Sequence, residues 1–233
     1  MLWHKAWLET QFKVWLSLAT VVFFAMVLHS MPAKAANPAA AAAAFGFATF
    51  TLVVVICVWL AGAGINTQPA FQAVKGLHGS TLFTLSLPVS RARLIAVRAA
   101  AGWLEMSCLV AVWCGANWLA VPAVRTSVTA MQMFEYIIAL FACTSTLYFL
   151  SVLLGVFLDD LWRMYGTMLA AIAFWLASRS LPLPASADIG RAVAGGTSPL
   201  IAHTMPWATM AFSVGLAVIL FFAAVKIART REY

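Results

Sequence analysis

Long stretches without a single charged residue are the most restrictive feature of this sequence. An α-helix that crosses a bilayer takes about 20 mostly apolar residues, and the uncharged stretch from Ala35 to Val74 is twice that length. Only 9% of the residues are charged and 64% are hydrophobic, whereas about a quarter of a soluble chain is charged. The chain is therefore predicted to be an integral membrane protein. Soluble domains, disordered chains, disulfide scaffolds and nucleic-acid binders are excluded.

Charged residues divide the chain into segments that predict six transmembrane helices. Within the stretch 35–74, the part from Phe45 to Gly64 is rich in Val, Ile, Leu and Trp, so the helix is expected there rather than in Asn37 to Ala44. All nine prolines fall in connections or at predicted helix ends, where a missing backbone donor costs least. We predict an all-α fold in one domain, residues 1–233. Its spans are expected near 14–32, 44–64, 94–121, 132–158, 161–180 and 206–227.

The distribution of Lys and Arg sets the predicted orientation. Of the 14 basic residues, ten fall in segments on one side of the membrane and four on the other. The four are Lys34, Arg125, Arg179 and Arg191. Because basic residues are enriched on the cytoplasmic side, both termini are predicted to be cytoplasmic. Before the first span, Trp3 and Trp7 share a helix face opposite three charged residues, which predicts an interfacial helix, retained rather than cleaved as a signal peptide.

The residue types that carry catalysis or bind metals are scattered in this chain. The histidines are dispersed, and no pair has the i, i+4 spacing of a helical zinc site. Neither a GxSxG elbow nor a Walker lysine motif is present. We therefore expect no metal site, no cofactor in this chain and no enzymatic activity of its own. All four cysteines lie in apolar runs and are expected to be buried: Cys57, Cys108, Cys114 and Cys143.

The connection between the second and third predicted spans is unusually long. It runs from Ile65 to Leu94 and contains a short amphiphilic piece, Gly79 to Leu87, that is closed by Pro88. Long connections often carry function. Its apolar residues alternate as in a strand, but an isolated strand with open edges beside a membrane is unfavourable, so we predict a short helix along the cytoplasmic face. Ser90 is then placed to cap the third span.

Two runs in this connection resemble a known family. Gly79-Ser80-Thr81-Leu82 leads to Leu87-Pro88-Val89-Ser90-Arg91, and Leu94 and Arg98 follow. This pattern resembles the segment of type-2 ABC exporter permeases that contains the coupling helix. The resemblance implies a bacterial inner-membrane permease that pairs with a second permease copy, as a homodimer or heterodimer. It also implies cytoplasmic ATPase subunits, in which ATP and Mg²⁺ are bound.

The resemblance further implies roles for individual segments. The ATPase-coupling residues would be Lys75, His78, Gly79, Ser80, Thr81, Leu82, Phe83, Pro88, Ser90 and Arg91. Lys75 and His78 stand where family members often carry an acidic residue, so an ion pair to the ATPase through that acid is not expected here. Phe83 is the expected anchor in the ATPase, with a membrane anchor in the headgroup region as the alternative. Between the last two spans, short helices at Asp188 to Ala194 and Pro199 to His203 are implied, with a break at Gly195-Gly196.

Glu105 is an acidic residue deep in the third span. It lies seven positions after Arg98 on nearly the same helix face, about 10.5 Å along the helix. A charge at that depth costs about 2.5–3.5 kcal/mol on insertion scales, so a partner or a wet cavity is expected. Arg98 and Glu105 are therefore candidates for the translocation path or for interhelical contacts, with both alternatives open. Asp159 and Arg163, at i, i+4, are expected to form a local ion pair.

The leading hypothesis for function is the membrane-spanning subunit of an ABC exporter. It would move a hydrophobic or amphiphilic substrate outward with ATP hydrolysed in a separate chain. One alternative is an integral membrane enzyme, which lacks an evident set of nucleophile, base and orienting residue. Another is a secondary transporter or small channel, which would be expected to show inverted repeats or more intramembrane charges.

Overall fold

A computed structural model describes residues 2–30, 38–61, 90–158 and 160–230. Within these ranges the chain is helical and contains no strand. The α-helices are α1 (Leu2–Ser30), α2 (Pro38–Leu60), α3 (Arg91–Ala120), α4 (Pro122–Ser127), α5 (Ala130–Phe157), α6 (Asp160–Ser180), α7 (Ile189–Ala194), α8 (Pro199–Ala202) and α9 (Trp207–Thr230). A short 3₁₀ turn, Ala185–Ala187, precedes α7.

Four of these helices are long and apolar enough to cross a membrane. They contain Ala41–Leu60, Ala92–Ala120, Ala130–Phe157 and Trp207–Thr230. This agrees with the second, third, fourth and sixth predicted spans and indicates a membrane protein. The predicted spans 14–32 and 161–180 lie in or largely within α1 and α6, but neither helix meets the same criterion over its described residues. In α6 the apolar face is interrupted near both ends, at Arg163 and Arg179.

Two helices extend beyond the predicted boundaries. α1 runs from Leu2 to Ser30 without a break between the predicted interfacial helix and the first span, because no Gly or Pro interrupts it. α2 begins at Pro38 rather than near residue 44. Proline is compatible with the first turn of a helix and alanine has the highest helix propensity, so the Pro and Ala run extends α2 instead of forming a loop.

Helices α2 and α5 form the centre of the bundle. In the most apolar 18-residue stretch of each of these helices, 56% is buried inside the protein, compared with 28% in α9. α9 packs along α5, and α1 packs along α3. The core contains large side chains from α2, α3 and α5, among them Ile56, Trp113 and Tyr148. α1, α6 and α9 each keep an exposed apolar side, as expected for helices that face lipid.

Side chains cap several helix starts. Ser90 Oγ accepts a hydrogen bond from the backbone N–H of Arg93 at 3.3 Å, which confirms the predicted N-cap of α3. At the start of α5, Thr129 and Gln132 form a reciprocal capping box. These bonds satisfy backbone N–H groups that have no partner within their own helix.

Candidate functional site

Two short helices, α7 and α8, close one end of the bundle. We call residues 188–203 the wedge, and this end of the bundle the wedge end. α7 packs against α2, α5 and α6, and α8 packs against α2 and α5. Ile189, Val193 and Leu200 are buried among these helices. The short helices expected at Asp188 to Ala194 and Pro199 to His203 are confirmed, with Gly195 ending α7.

Close backbone approaches and polar contacts hold the wedge in place. A Cβ atom added at Gly46 of α2 would lie 3.4 Å from the backbone of Val193 and Ala194, so α2 and α7 pack closely at this point. Asp188 Oδ1 accepts a hydrogen bond from the N–H of Arg191 at 3.0 Å. His203, in the left-handed region at φ 54°, contacts the side chain of Gln132. The wedge is therefore an integral part of the fold.

At the opposite end, a buried arginine joins three helices. Arg163 of α6 has no exposed surface, and its Nη1 donates to the carbonyl oxygens of Val58, at 3.1 Å, and Ala61. The same nitrogen lies 3.2 Å from Ser151 Oγ of α5. The carbonyls at a helix end lack intrahelical partners and carry partial negative charge, so they suit a guanidinium. Asp159, the predicted ion-pair partner, lies outside the described residues.

Arg98 and Glu105 lie on α3 in the same half of the bundle. Arg98 is 8% exposed, and Glu105 is half-buried with one carboxylate oxygen inaccessible to solvent. Both side chains interact with other groups in the protein. Tyr148 of α5 lies near Glu105 and Arg163 and interacts electrostatically with both. Its hydroxyl donates to the carbonyl of Ala99 at 2.9 Å. α3, α5 and α6 thus contribute polar groups to a mostly apolar interior.

A second group of buried polar side chains lies nearer the wedge end. Trp113 Nε1 of α3 donates to Thr49 Oγ1 of α2 at 3.0 Å, and Asn117 Nδ2 donates to the carbonyl of Trp113 at 2.8 Å. The hydroxyl of Tyr136 faces Thr49 from α5. All four side chains are at most 1% exposed. Buried polar groups thus occur at two depths of the bundle interior.

Two apolar grooves open on the sides of the bundle. The first, about 470 Å³, lies between α2 and α6 and is lined by residues such as Val54, Ile172 and Trp175. The second, about 650 Å³, lies between α3, α5 and α9. Its only polar side chains satisfy each other, because Trp103 Nε1 donates to Ser145 Oγ at 3.0 Å. The mostly apolar lining of both grooves is suited to contact with apolar groups such as acyl chains.

Most of the predicted coupling residues lie outside the described residues. These are Lys75, His78, Gly79, Ser80, Thr81, Leu82, Phe83 and Pro88. Ser90 and Arg91 begin α3, but the side chain of Arg91 is not among those described. The coupling role of this segment therefore stays a prediction.

The cysteine prediction is wrong at one position. Cys57, Cys114 and Cys143 are buried as expected, but Cys108 is exposed. It lies on α3 between Leu104 and Val112, which are also exposed. The i, i+4, i+8 spacing places all three on one outward stripe, which the apolar composition alone did not distinguish from the buried face. In the described ranges, no three His, Cys, Asp or Glu residues lie close enough to hold a metal ion.

Sequence reasoning did not identify the role of Arg163 at the end of α2. Its spacing from Asp159 favoured a local partner, whereas its acceptors in α2 lie more than 100 positions earlier. The one available signal was a single arginine flanked by apolar segments.

Comparison with protein-family models, curated proteins and solved structures finds no match to this chain.

Proposed function

We propose that this chain is the membrane-spanning subunit of an ABC exporter that moves a hydrophobic or amphiphilic substrate outward. The observation that carries the proposal is the wedge. The resemblance in the connection 65–94 implies two short helices between the last two spans, and α7 and α8 occur there with the expected break at Gly195. The two features lie about 100 residues apart in the sequence and support the same family.

In this proposal the chain has six spans, with α1 and α6 as the first and fifth. Both termini are cytoplasmic, the wedge lies at the outer face, and Arg163 lies near the inner face. α1 and α6 carry apolar exposed side chains such as Phe23 and Leu169, which suits contact with lipid or with a second permease copy. The chain belongs in the bacterial inner membrane, where its partners have access to ATP.

The apolar grooves and the buried polar groups support an amphiphilic substrate. A molecule with an acyl or other apolar part fits the lining of either groove. Its polar part would need a polar group at the edge of the interior, and the half-buried Glu105 on α3 is the candidate. The chain itself performs no covalent chemistry, and ATP with Mg²⁺ is bound in the partner ATPase.

Co-purification tests the proposal. The tagged chain, extracted from its own cells in a mild detergent, should retain a subunit that hydrolyses ATP and contains a Walker lysine motif. Phe83→Ala should reduce the retained ATPase about tenfold or more, because an aromatic anchor at the centre of an interface contributes at least about 2 kcal/mol. Recovery of a monodisperse chain without any ATP-hydrolysing partner would contradict the proposed function.

A matched control separates coupling from membrane anchoring. Phe134 is an exposed phenylalanine near the start of α5, at the wedge end. Phe134→Ala should leave the amount of retained ATPase unchanged, because this position is predicted to face lipid on the outer side. If Phe83→Ala retains as much ATPase as Phe134→Ala does, the anchor role of Phe83 in the ATPase is wrong.

A further inference from the structure

The guanidinium of Arg163 is the meeting point of three helices. It extends from the first turn of α6, donates to two carbonyls at the end of α2, and reaches the hydroxyl of Ser151 on α5. Ser151 Oγ in turn donates to the carbonyl of Ala61 at 3.4 Å. The backbone, not only the side chains, of α2 is therefore tied to α6.

The chemistry of this contact explains why an arginine occupies the position. The last carbonyls of α2 accept no hydrogen bond from within the helix, and a buried carbonyl without a donor is costly. A guanidinium offers several donors in a fixed plane, and its charge complements the negative end of the helix dipole. All three contacts use Nη1, so the advantage over lysine is that a guanidinium is more weakly hydrated than an ammonium and less costly to bury.

Two consequences follow from where the contact lies. α2 ends here, and the chain continues directly into the connection that contains the predicted coupling helix. α2 and α6 also form the two walls of the 470 Å³ groove. A displacement that arrives through the connection reaches the groove by way of this end of α2.

We propose that Arg163 is a positioning residue that makes the end of α2 and the start of α6 move as one body. A push from the partner ATPase on the connection is then passed to both walls of the α2–α6 groove. Without the guanidinium, the last turn of α2 unwinds locally and absorbs the displacement. This inference rests on the proposed function for the source of the push, but the tie between the two helices does not.

Hydrogen exchange on the full chain in lipid nanodiscs tests the tie itself. Arg163→Gln should accelerate exchange of the amides in the last turn of α2 about tenfold or more, since a hydrogen bond to a charged group contributes at least about 1.5 kcal/mol. Arg163→Lys should give a smaller increase. Arg179→Gln is the matched control, because Arg179 lies at the other end of α6 and stacks on Trp175 at 4.7 Å. Exchange in Arg163→Gln equal to that in Arg179→Gln would overturn the inference.

A distance measurement in the complex with the ATPase tests the coupling. Spin labels at Trp59→Cys and Met168→Cys, in a background without the native cysteines, report the separation of the groove walls. The separation should stay constant when the ATPase is trapped with ATP and vanadate, and should lengthen or broaden in Arg163→Gln while ATP hydrolysis continues. A change of similar size in the chain with Arg163 intact would overturn the coupled motion. Failure to find an ATPase would overturn the proposed function and the coupled motion. The hydrogen-exchange result would still show whether Arg163 holds the end of α2 to α6.

Discussion

The carboxylate of Glu105 is a charge-bearing group in the middle of an apolar helix. It lies half-buried on α3, near Tyr148, and at least one of its oxygens is shielded from solvent. Its neighbours on the helix, Leu104 and Cys108, are exposed, so the carboxylate lies at the edge of the interior rather than at its centre.

The first prediction concerns Glu105→Gln. The amide keeps the size of the side chain but removes its charge. If Glu105 lines the path of the proposed exporter, transport should therefore fall about tenfold or more while expression and assembly stay near normal. Transport by inside-out vesicles and the yield of the purified complex are the two measurements. Glu135→Gln is the control, because Glu135 lies near the start of α5, where a bilayer interface is expected. Parallel loss of yield and transport would favour an interhelical role for Glu105.

The second prediction concerns the contact between Gly102 and Tyr148. A Cβ atom at Gly102 would collide with the Tyr148 hydroxyl, which donates to Ala99 in the preceding turn. Gly102→Ala should therefore lower the free energy of unfolding by about 1–3 kcal/mol through overpacking and loss of this bond. Gly115→Ala on the same helix meets nothing within 4 Å and should not destabilise the chain, because alanine is favoured over glycine in a helix interior. The measurement is unfolding in detergent, followed by circular dichroism. Equal free energies of unfolding for the two variants would contradict the prediction.

Residue-level features were predictable where the signal is local. The N-cap role of Ser90 follows from its place before a basic, apolar-periodic run and is confirmed. The contacts of Arg163 and Gly102 were not predictable, because both depend on which helices become neighbours. Nothing in the sequence around Arg163 encodes that α2 ends beside it.

At the scale of elements, the wedge depends on close packing of α7 on α6. A Cβ atom at Gly190 would collide with Ser178, whose hydroxyl donates to the carbonyl of Phe174. The side of α7 that carries Ile189, Ala192 and Val193 is buried. The position of α7 is therefore limited by the close approach of Gly190 to the Ser178 side chain, which leaves no room for a Cβ atom.

The third prediction is that Gly190→Val displaces the wedge. A cysteine introduced at Val193, which is fully buried, should resist a membrane-impermeant thiol reagent in the parent chain and react with it in the Gly190→Val variant. The four native cysteines are replaced first, because Cys108 is exposed. Gly196→Ala is the control, since Gly196 has open space around it. Equal protection of Val193→Cys in both backgrounds would show that α7 tolerates the added volume.

Helix existence was predictable and helix extent was less so. Apolar runs predicted α2, α3, α5 and α9 because a bilayer crossing requires both length and low polarity. The start of α2 was misjudged because the Pro and Ala run was taken for a connection, although alanine strongly favours helix. The wedge was expected only through the family resemblance, since helices of this length carry no periodic signal of their own.

At the scale of the whole molecule, the bundle has two chemically different ends. The wedge end is closed by short helices and carries Arg125 and Arg191, both exposed. The opposite end contains the buried Arg163, the cap at Ser90 and the C-terminal end of α9, with Lys226 and with Arg229 in its last turn. Because most basic residues of the described ranges lie toward the opposite end, the positive-inside rule favours the cytoplasm on that side.

The fourth prediction is therefore a topology with both termini cytoplasmic. In a chain without native cysteines, single cysteines at Lys34, Arg125 and Arg191 should react with an impermeant reagent in intact cells. Cysteines at Lys5, Lys75 and Arg229 should react only after permeabilisation. Arg191→Cys removes an ion pair to Asp188 at 3.1 Å, but the Arg191 side chain is 53% exposed, so the loss should be small.

The pattern of labelling also decides the number of crossings. In the sequence, position 34 precedes the predicted second span, position 75 lies between the second and third spans, and position 125 follows the third. Six crossings require that 34, 125 and 191 react alike and that 5, 75 and 229 differ from them, because position 191 reports on α6 and position 5 on α1. If position 75 reacted in sealed, right-side-out cells, the charge bias would have been assigned to the wrong face, and the proposed coupling segment would be out of reach of a cytoplasmic ATPase.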